Sequence, residues 1–246
     1  MHFTFIITGW NCEQYAKANL DSLKKLNNKN WSARVINDGS TDKTAQILQE
    51  YDVETYDIKM YNFADNRFAA YRRWQLLQEQ EIDEEEVIIL LGMDDSVFPD
   101  ALDEIEKVYT PGVMMSYGNW IDHKGVFLPK TFPLEFDKIT HINRDYRQVV
   151  YRSTGLNTFK YKLFKKLKEE DFIIDGEWIC TCTEGPAMFS FLEMCGEGRI
   201  GIVYKHICLY NSNRPDGSIY RFTKEYKYEI LDKIKNQPKK PIYEEC

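Results

Sequence analysis

An unbroken apolar run that ends at two adjacent carboxylates is the feature that most constrains this chain. Residues 87–95 read VIILLGMDD. Five aliphatic residues without alternation are typical of a strand buried on both faces, as at the centre of a parallel sheet covered by helices. Such sheets bind ligands at the carboxyl ends of their strands. The pattern therefore predicts a ligand site at Asp94 and Asp95, although aspartates are also common where a simple turn begins.

Two earlier segments also lead from a strand into polar residues. Residues 3–8 are an apolar and β-branched run that breaks at a glycine, and leucines at helical spacing follow. Residues 35–42 read VINDGSTD, where the glycine permits a tight turn and Thr41 is the expected cap of the next helix. Strands that alternate with helices predict a parallel sheet with polar residues at its carboxyl edge.

The rest of the chain continues this pattern less regularly. A third strand is expected at residues 54–61, an arginine-rich helix at 66–80 and a basic helix at 160–168. Residues 171–178 and 211–218 are expected to be loops, the second because it consists of turn-forming residues. Further strands are expected at 113–117 and 200–210, and further helices at 101–109, 184–194 and 223–236.

Composition excludes several classes of function. A net charge of −7 and a pI of 5.3 argue against sequence-independent nucleic-acid binding, which needs a basic surface. The chain has no apolar run of roughly 20 residues and no basic start typical of a signal peptide, so it is expected to be soluble and cytoplasmic. Lys239 and Lys240 form only a weak patch for a membrane surface, which leaves peripheral membrane contact open.

The six cysteines are expected to be reduced, because nothing indicates secretion. Cys180 and Cys182 are separated by one residue, whereas common zinc sites space their cysteines by two to four. Packing is therefore favoured over a metal knuckle for this pair.

The strand ends lack the sequence loops that usually hold phosphates. Neither Gly-x-Gly-x-x-Gly nor Gly-Lys-Ser/Thr follows a strand, so no glycine cradle is available for a nucleotide. Carboxylates stand there instead. A hard divalent cation such as Mg²⁺ or Mn²⁺ suits oxygen ligands and would offset the charge of a diphosphate. Asp95 is the candidate metal ligand.

Four motifs together resemble a known family. Residues 5–11 read FIITGWN, residues 37–44 read NDGSTDKT, Asn66 and Arg72 follow in the third helix, and residues 93–95 read MDD. In this order they resemble the family 2 nucleotide-sugar glycosyltransferases with the GT-A fold. The segment 37–44 is the most specific match, and the likeness covers at least residues 3 to 117.

A looser likeness continues downstream. Residues 156–160, 184–194 and 209–211 resemble a subset of these enzymes found in large DNA viruses, phages and some bacteria. In that subset an Asp serves as general base at the position of Glu184, and the wider family often has a second acid where Gly185 stands here. This chain keeps a carboxylate at that position, but the Glu184 side chain is one methylene group longer than that of Asp.

The resemblance implies an inverting transfer of a sugar from a nucleotide-diphosphate-sugar to an acceptor hydroxyl on a glycan or glycoconjugate. It implies that Glu184 removes the hydroxyl proton and that Asp95 holds Mn²⁺ or Mg²⁺. The implied donor-binding residues are Thr8 and Asn11 in the nucleotide pocket, Asp38 at the base or ribose, Asp94 at the ribose, and Arg72 at the diphosphate.

Other interpretations of these residues stay open. Arg72 could face solvent with its neighbouring arginines, and Glu184 could be a first-turn acid favoured by the helix dipole. Asp171, Asp175 and Glu177 are rival candidates for the base. At the level of function, a sugar-nucleotide nucleotidyltransferase, or a non-catalytic sugar- or partner-binding module on a decayed transferase fold, would share many of the same features.

The predicted architecture is a three-layer α/β/α sandwich of the GT-A, Rossmann-like type with a mostly parallel central sheet. Residues 1–222 form the predicted transferase domain, with a nucleotide-sugar-binding half at 1–117 and an acceptor-binding half at 118–222. Residues 223–246 form a C-terminal helix and tail. The enzyme would work in the cytoplasm, or in the host cytoplasm if it is viral or from a phage.

Overall fold

The computed structural model describes residues 1–53, 55–122, 135–152, 155–212, 214 and 221–244. Within these residues the strands are β1 (Phe3–Gly9), β2 (Trp31–Asp38), β3 (Ile58–Phe63), β4 (Val87–Gly92), β5 (Ser96–Val97), β6 (Met115–Asp122), β7 (Asn157–Lys160), β8 (Ile173–Ile174), β9 (Glu177–Trp178) and β10 (Ile200–Tyr210). The helices are α1 (Ala16–Lys24), α2 (Thr44–Glu50), α3 (Phe68–Glu79), α4 (Ala101–Val108), α5 (Lys138–Asn143), α6 (Tyr161–Phe164), α7 (Gly185–Cys195) and α8 (Lys224–Lys235).

Eight strands form one sheet in the order β3-β2-β1-β4-β7-β6-β10-β5. The first four strands in this order are parallel to one another, and β6 is parallel to β10. Strand β7 is antiparallel to both β4 and β6, and β5 is antiparallel to β10. Strands β8 and β9 form a separate two-stranded sheet. The main sheet is therefore mostly parallel, as predicted.

The apolar run in β4 is buried on both faces of the sheet. Ile88 and Leu90 belong to a core that also takes in apolar residues of α3, α7 and α8. Val87, Ile89 and Leu91 belong to a second core, which takes in α1, α2 and α4. Because side chains alternate along a strand, the two cores lie on opposite faces of the sheet. This confirms the predicted three-layer α/β/α arrangement.

The carboxyl ends of β1, β2 and β4 lie side by side. Thr8 of β1 pairs with Ile36 of β2 on one side and with Gly92 of β4 on the other. The polar residues that follow these strands therefore gather at one edge of the sheet.

Two predicted elements have bounds that differ from the expectation. The third strand, expected at residues 54–61, is Ile58–Phe63, since its residues pair with β2. The basic helix expected at residues 160–168 is only the turn Tyr161–Phe164, because the chain up to Lys160 is held as the strand β7 between β4 and β6.

The start of α2 also differs from the expectation. Thr41 was the predicted cap, but the helix begins at Thr44. The carboxylate of Asp42 instead accepts a hydrogen bond from the Thr44 backbone N–H at 2.9 Å. A carboxylate near a helix N-terminus satisfies an amide that lacks a partner within the helix.

The segment 171–178, expected to be a loop, contains the hairpin of β8 and β9. Asp175 and Gly176 form its two-residue turn, with φ values of 55° and 83°. Asp-Gly favours such turns because both central residues need positive φ. Of the second expected loop, at residues 211–218, Asn213 and residues 215–218 lie outside the described residues.

The C-terminal segment packs against the rest of the chain. Thr223 caps α8 by accepting a hydrogen bond from the Tyr226 backbone N–H. Beyond α8, the Tyr243 N–H donates to the Met194 carbonyl oxygen at 2.9 Å, at the end of α7. The residues after 222 therefore contact α7, and the predicted division at residue 222 stays a prediction. No helix within the described ranges is both long and apolar enough to cross a membrane.

Candidate active site

A cavity of about 470 Å³ opens at the carboxyl edge of β1, β2 and β4. Five of the seven predicted site residues line it, and they come from four separate parts of the chain. These five residues are Thr8, Asp38, Asp94, Asp95 and Glu184. The fold therefore brings the strand-end acids and the distant Glu184 to one cavity.

The two acids after β4 converge beside Gly92. A Cβ atom on Gly92 would lie 2.8 Å from Asp94 Oδ1 and 2.9 Å from Asp95 Oδ2, so both oxygens face the same small volume. Asp95 Oδ1 accepts a hydrogen bond from the Asn211 N–H at 2.9 Å. Desolvation, and next the charge of Asp94, raise the pKa of Asp95 well above its usual range.

This arrangement fits a hard divalent cation. Two converging carboxylate oxygens are the ligand type that Mg²⁺ and Mn²⁺ prefer, and a cation would offset the repulsion between Asp94 and Asp95. The part of the chain that the structure describes contains no group of three or more His, Cys, Asp or Glu side chains that could enclose a metal. The two aspartates could thus supply part of a coordination shell, and diphosphate oxygens and water would supply the rest.

Glu184 lies directly before α7 and faces the cavity. Its Oε1 accepts a hydrogen bond from Arg73 Nη1 at 3.0 Å, and its Oε2 accepts one from Asn157 Nδ2 at 2.5 Å. Its side chain keeps 34% exposure. Glu184 makes no side-chain capping bond to α7, so its carboxylate is directed towards Arg73 and Asn157 rather than towards the helix amides.

The rival acids lie outside the cavity lining. Asp171 pairs with Lys240 Nζ at 2.6 Å. Asp175 pairs with Lys233 Nζ at 2.7 Å, and its side chain is 71% exposed. Glu177 lies in the β8–β9 hairpin and is exposed. Of the four candidate bases, Glu184 alone contributes to this cavity as the structure describes it.

Arg72 and Asn11 are the two predicted site residues that do not line the cavity. Arg72 is buried behind Asp38, with its Nε 2.7 Å from Asp38 Oδ1 and its Nη2 2.6 Å from Asp65 Oδ1. Asn11 joins two loops, because its Oδ1 accepts a hydrogen bond from the Thr41 N–H at 2.8 Å. Both residues support the cavity wall rather than facing the cavity.

Three arginines that line the cavity had not been singled out from the sequence: Arg73, Arg214 and Arg221. Arg214 Nη1 lies 3.4 Å from Asp94 Oδ2, and its Nη2 donates to the Asn11 carbonyl oxygen at 2.8 Å. Arg221 stacks over the ring of Trp10 at 4.1 Å. The cavity therefore combines cations with acids. The chain offers no sequence signal for Arg214, since it stands among turn formers about 120 residues from Asp94.

Helix α8 and the cysteine pair complete one wall. Leu231 of α8 lines the cavity together with Cys180 and Cys182. Cys180 Sγ lies 3.5 Å from the hydroxyl of Tyr226, and Cys182 Sγ lies 3.8 Å from the Lys227 carbonyl oxygen. The cysteines thus connect the segment before Glu184 to α8.

Comparison with protein families shows a match over most of the chain. Residues 4–171 match the family model described as glycosyl transferase family 2. Among curated proteins, the chain is 31% identical over 80 residues to a teichoic acid poly(glycerol phosphate) polymerase of Staphylococcus epidermidis, covering 32% of this chain and 11% of that protein. It is 26% identical over 109 residues to an uncharacterized glycosyltransferase of Mycoplasma genitalium, covering 44% and 36%. The chain thus spans only a minor part of both relatives.

Two of the solved structures with the same fold contain a bound nucleotide-sugar. The chain superposes on S. aureus TarS residues 1–349 in complex with UDP-GlcNAc with a TM-score of 0.70 and 19% identity, covering 95% of this chain and 65% of that one. It superposes on a mannosyltransferase of Pyrobaculum calidifontis in complex with GDP-Man and Mn²⁺ with a TM-score of 0.60 and 14% identity, covering 87% and 58%. At these identities the likeness establishes the fold, and it confirms the GT-A prediction.

Proposed function

Because the chain belongs to glycosyl transferase family 2, we propose that it transfers a sugar from a nucleotide-diphosphate-sugar to an acceptor hydroxyl, with inversion and with a divalent cation. Two structural neighbours were crystallised with a nucleotide-sugar, and one of these also contains Mn²⁺. These complexes support the donor class and the metal. The acceptor class, a glycan or glycoconjugate, rests on the family resemblance, as does placement in the subset found in viruses, phages and some bacteria.

One observation carries the proposal: Asp95 and Glu184 line the same cavity although 88 positions separate them in the chain. Transfer with inversion needs a base for the acceptor on one face of the sugar and a counter-charge for the leaving diphosphate on the other. A cavity with a metal-compatible pair of acids and a separate carboxylate supplies both groups. A turn preference or a helix dipole alone would not bring them together.

In the proposed transfer, one bond to the anomeric carbon forms as another breaks. The acceptor hydroxyl gives its proton to a Glu184 carboxylate oxygen while its own oxygen forms a bond to the anomeric carbon. The bond from that carbon to the diphosphate breaks, and its electron pair stays with the diphosphate oxygen. Asp95 would hold Mn²⁺ or Mg²⁺, which would act as a Lewis acid towards the leaving diphosphate. Asp94, which the resemblance assigned to the ribose, lies beside Asp95 and could share the cation.

The remaining residues would bind the donor. Among the described residues, Asp38 Oδ1 accepts hydrogen bonds from the Arg67 N–H and Arg72 Nε, whereas Oδ2 accepts one from Asn66 Nδ2. Since a carboxylate oxygen has two lone pairs, Oδ2 keeps one for an N–H or O–H of the nucleotide. Thr8 lines the same pocket. Arg72 would act on the donor through Asp38 rather than by pairing with the diphosphate.

A screen of labelled nucleotide-sugars tests this function. The chain is incubated with UDP-GlcNAc, GDP-mannose and other donors, with Mn²⁺ or with a chelator, and release of the sugar is followed with and without glycan acceptors. We expect slow hydrolysis of one donor that requires the metal and is lost in Asp95→Asn. Cleavage of no donor, together with synthesis of a nucleotide-sugar from a nucleoside triphosphate and a sugar phosphate, would instead identify a nucleotidyltransferase. Binding without any turnover would identify a non-catalytic module.

A further inference from the structure

Arg73 differs from its neighbour Arg72 in the partners that it contacts. Both residues are buried in α3, but consecutive positions on a helix point about 100° apart. Arg72 is held by Asp38 and Asp65, away from the cavity. Arg73 lines the cavity and donates to Glu184 Oε1 at 3.0 Å. The two arginines therefore serve different acids.

The ion pair with Glu184 is the one direct contact that offsets the charge of Arg73 among the described residues, and the Asp95 carboxylate attracts Arg73 at longer range. Its side chain is 10% exposed, and its Nε–H has no hydrogen-bond partner within the described part of the chain. A buried arginine is costly unless a carboxylate offsets its charge and accepts its hydrogen bonds. Arg73 is thus coupled to Glu184 by direct contact, whereas its attraction to Asp95 involves no hydrogen bond.

Asn157 donates a hydrogen bond to the other oxygen of the same carboxylate. It stands at the start of β7, next to Leu90 of β4, so the sheet fixes its position. With Arg73 on Oε1 and Asn157 on Oε2, two donors on different elements define the plane of the Glu184 carboxylate. Each oxygen still has a lone pair for an acceptor hydroxyl.

We infer that Arg73 is a positioning residue for the proposed base, and that it acts on the transfer step only through Glu184. This inference rests on the proposed function. It explains why an arginine is buried beside a base: Arg73 offsets the negative charge of Glu184 in a cavity that already contains Asp94 and Asp95. Without Arg73, Glu184 would lose the hydrogen bond that orients its carboxylate.

Steady-state kinetics with a nucleotide-sugar and its acceptor test the inference in Arg73→Met, Arg73→Lys, Glu184→Gln and the Arg73→Met/Glu184→Gln double variant. Arg73→Met should lower kcat by about 10- to 100-fold, the usual cost of a misplaced catalytic group. The donor KM should stay within about twofold, because uniform binding is untouched. Arg73→Lys should be at least several-fold faster than Arg73→Met, since it restores a cationic donor.

The double variant separates positioning from a general structural effect. If Arg73 acts only through Glu184, the double variant should be no slower than Glu184→Gln alone. Multiplied losses in the double variant, equal kcat in Arg73→Lys and Arg73→Met, or a raised donor KM with normal kcat would each overturn the inference. Arg34→Met is the matched control, because Arg34 is similarly buried at 13% exposure but pairs with Asp57, away from the cavity.

The same experiment distinguishes this inference from the proposed function. Normal turnover in Glu184→Gln would remove Glu184 as the base, and the role of Arg73 would fall with it. A large loss in Glu184→Gln combined with normal kcat in both Arg73 variants would leave the proposed function intact and overturn the role of Arg73 alone.

Discussion

Arg72 and Asp38 form a buried ion pair at the end of β2, with Arg72 Nε 2.7 Å from Asp38 Oδ1 and both side chains 4% exposed. The guanidinium also lies 3.8 Å from the centre of the Phe63 ring. Asp38 lines the cavity while Arg72 does not. The ion pair therefore holds Asp38, a proposed donor-binding residue, in place at the edge of the sheet.

We expect Arg72→Met to destabilise the fold, because it leaves the Asp38 carboxylate buried without its cation. Breaking a buried pair typically costs about 3–5 kcal/mol. Arg67→Met is the matched control. Arg67 pairs with Asp65, which also pairs with Arg72, but the Arg67 and Asp65 side chains are 54% and 57% exposed. Such surface pairs contribute about 0–1 kcal/mol. Urea unfolding of the three proteins measures the difference. Equal midpoints for both variants would show that the buried pair adds nothing.

Asp38→Asn should weaken donor binding more than it slows the chemical step. The variant keeps the size of the side chain but removes the charge that Arg72 offsets and changes the oxygen available to the nucleotide. A residue that binds the nucleotide contributes equally to the ground state and the transition state, so the donor KM should rise while kcat at saturating donor is retained. A lower kcat with an unchanged KM would instead assign Asp38 to the chemistry.

Gly92→Ala should disturb the metal-compatible pair of acids. The new Cβ would lie within 2.9 Å of one oxygen from each of Asp94 and Asp95, so both carboxylates would have to move. We expect the Mn²⁺ concentration for half-maximal activity to rise by about 10- to 100-fold, as when the support of a metal ligand is lost. In the control Gly185→Ala, the new Cβ meets nothing closer than 3.5 Å. Similar Mn²⁺ curves for Gly92→Ala and the wild type would argue against metal binding here.

Binding of a nucleoside diphosphate should depend on the metal through Asp95. No glycine cradle offsets the diphosphate charge, so a cation has to do so. Calorimetric titration of UDP or GDP into the wild type should show affinity that falls at least about tenfold, or 1.4 kcal/mol, when Mn²⁺ is replaced by a chelator. Asp95→Asn should bind weakly under both conditions. Equal affinity in all four titrations would contradict the proposed metal site.

The strand ends of this site could be predicted from the sequence because they depend on local patterns. The run at residues 87–91 identified a strand buried on both faces, and the acids after it fall at the cavity. Asp38 followed from the same reasoning on β2, whereas Thr8 was implied only by the family resemblance. Parallel strands place their carboxyl ends at one edge of the sheet, so hydrophobic patterning alone predicts that the acids after β2 and β4 lie together.

The contacts between distant segments could not be predicted in this way. Asn157 reaches Glu184 because the short strand β7 runs antiparallel beside β4, and a pairing of that kind leaves no periodic signal in four residues. The sequence also could not separate Arg72 from Arg73, since the choice depends on which side of α3 meets the cavity. The Asp175-Gly176 turn, in contrast, was locally encoded and overlooked.

The most direct test of the account is the turnover of Glu184→Gln. This change keeps the size of the side chain and removes its basicity, so transfer should fall by about 10²–10⁴-fold, the usual contribution of a positioned base. Binding of the nucleoside diphosphate should stay as in the wild type. Asp175→Asn and Glu177→Gln, both outside the cavity lining, serve as controls and should transfer sugar at near-normal rates. Near-normal turnover in Glu184→Gln, with loss of activity in either control, would contradict the account and move the base to the β8–β9 hairpin.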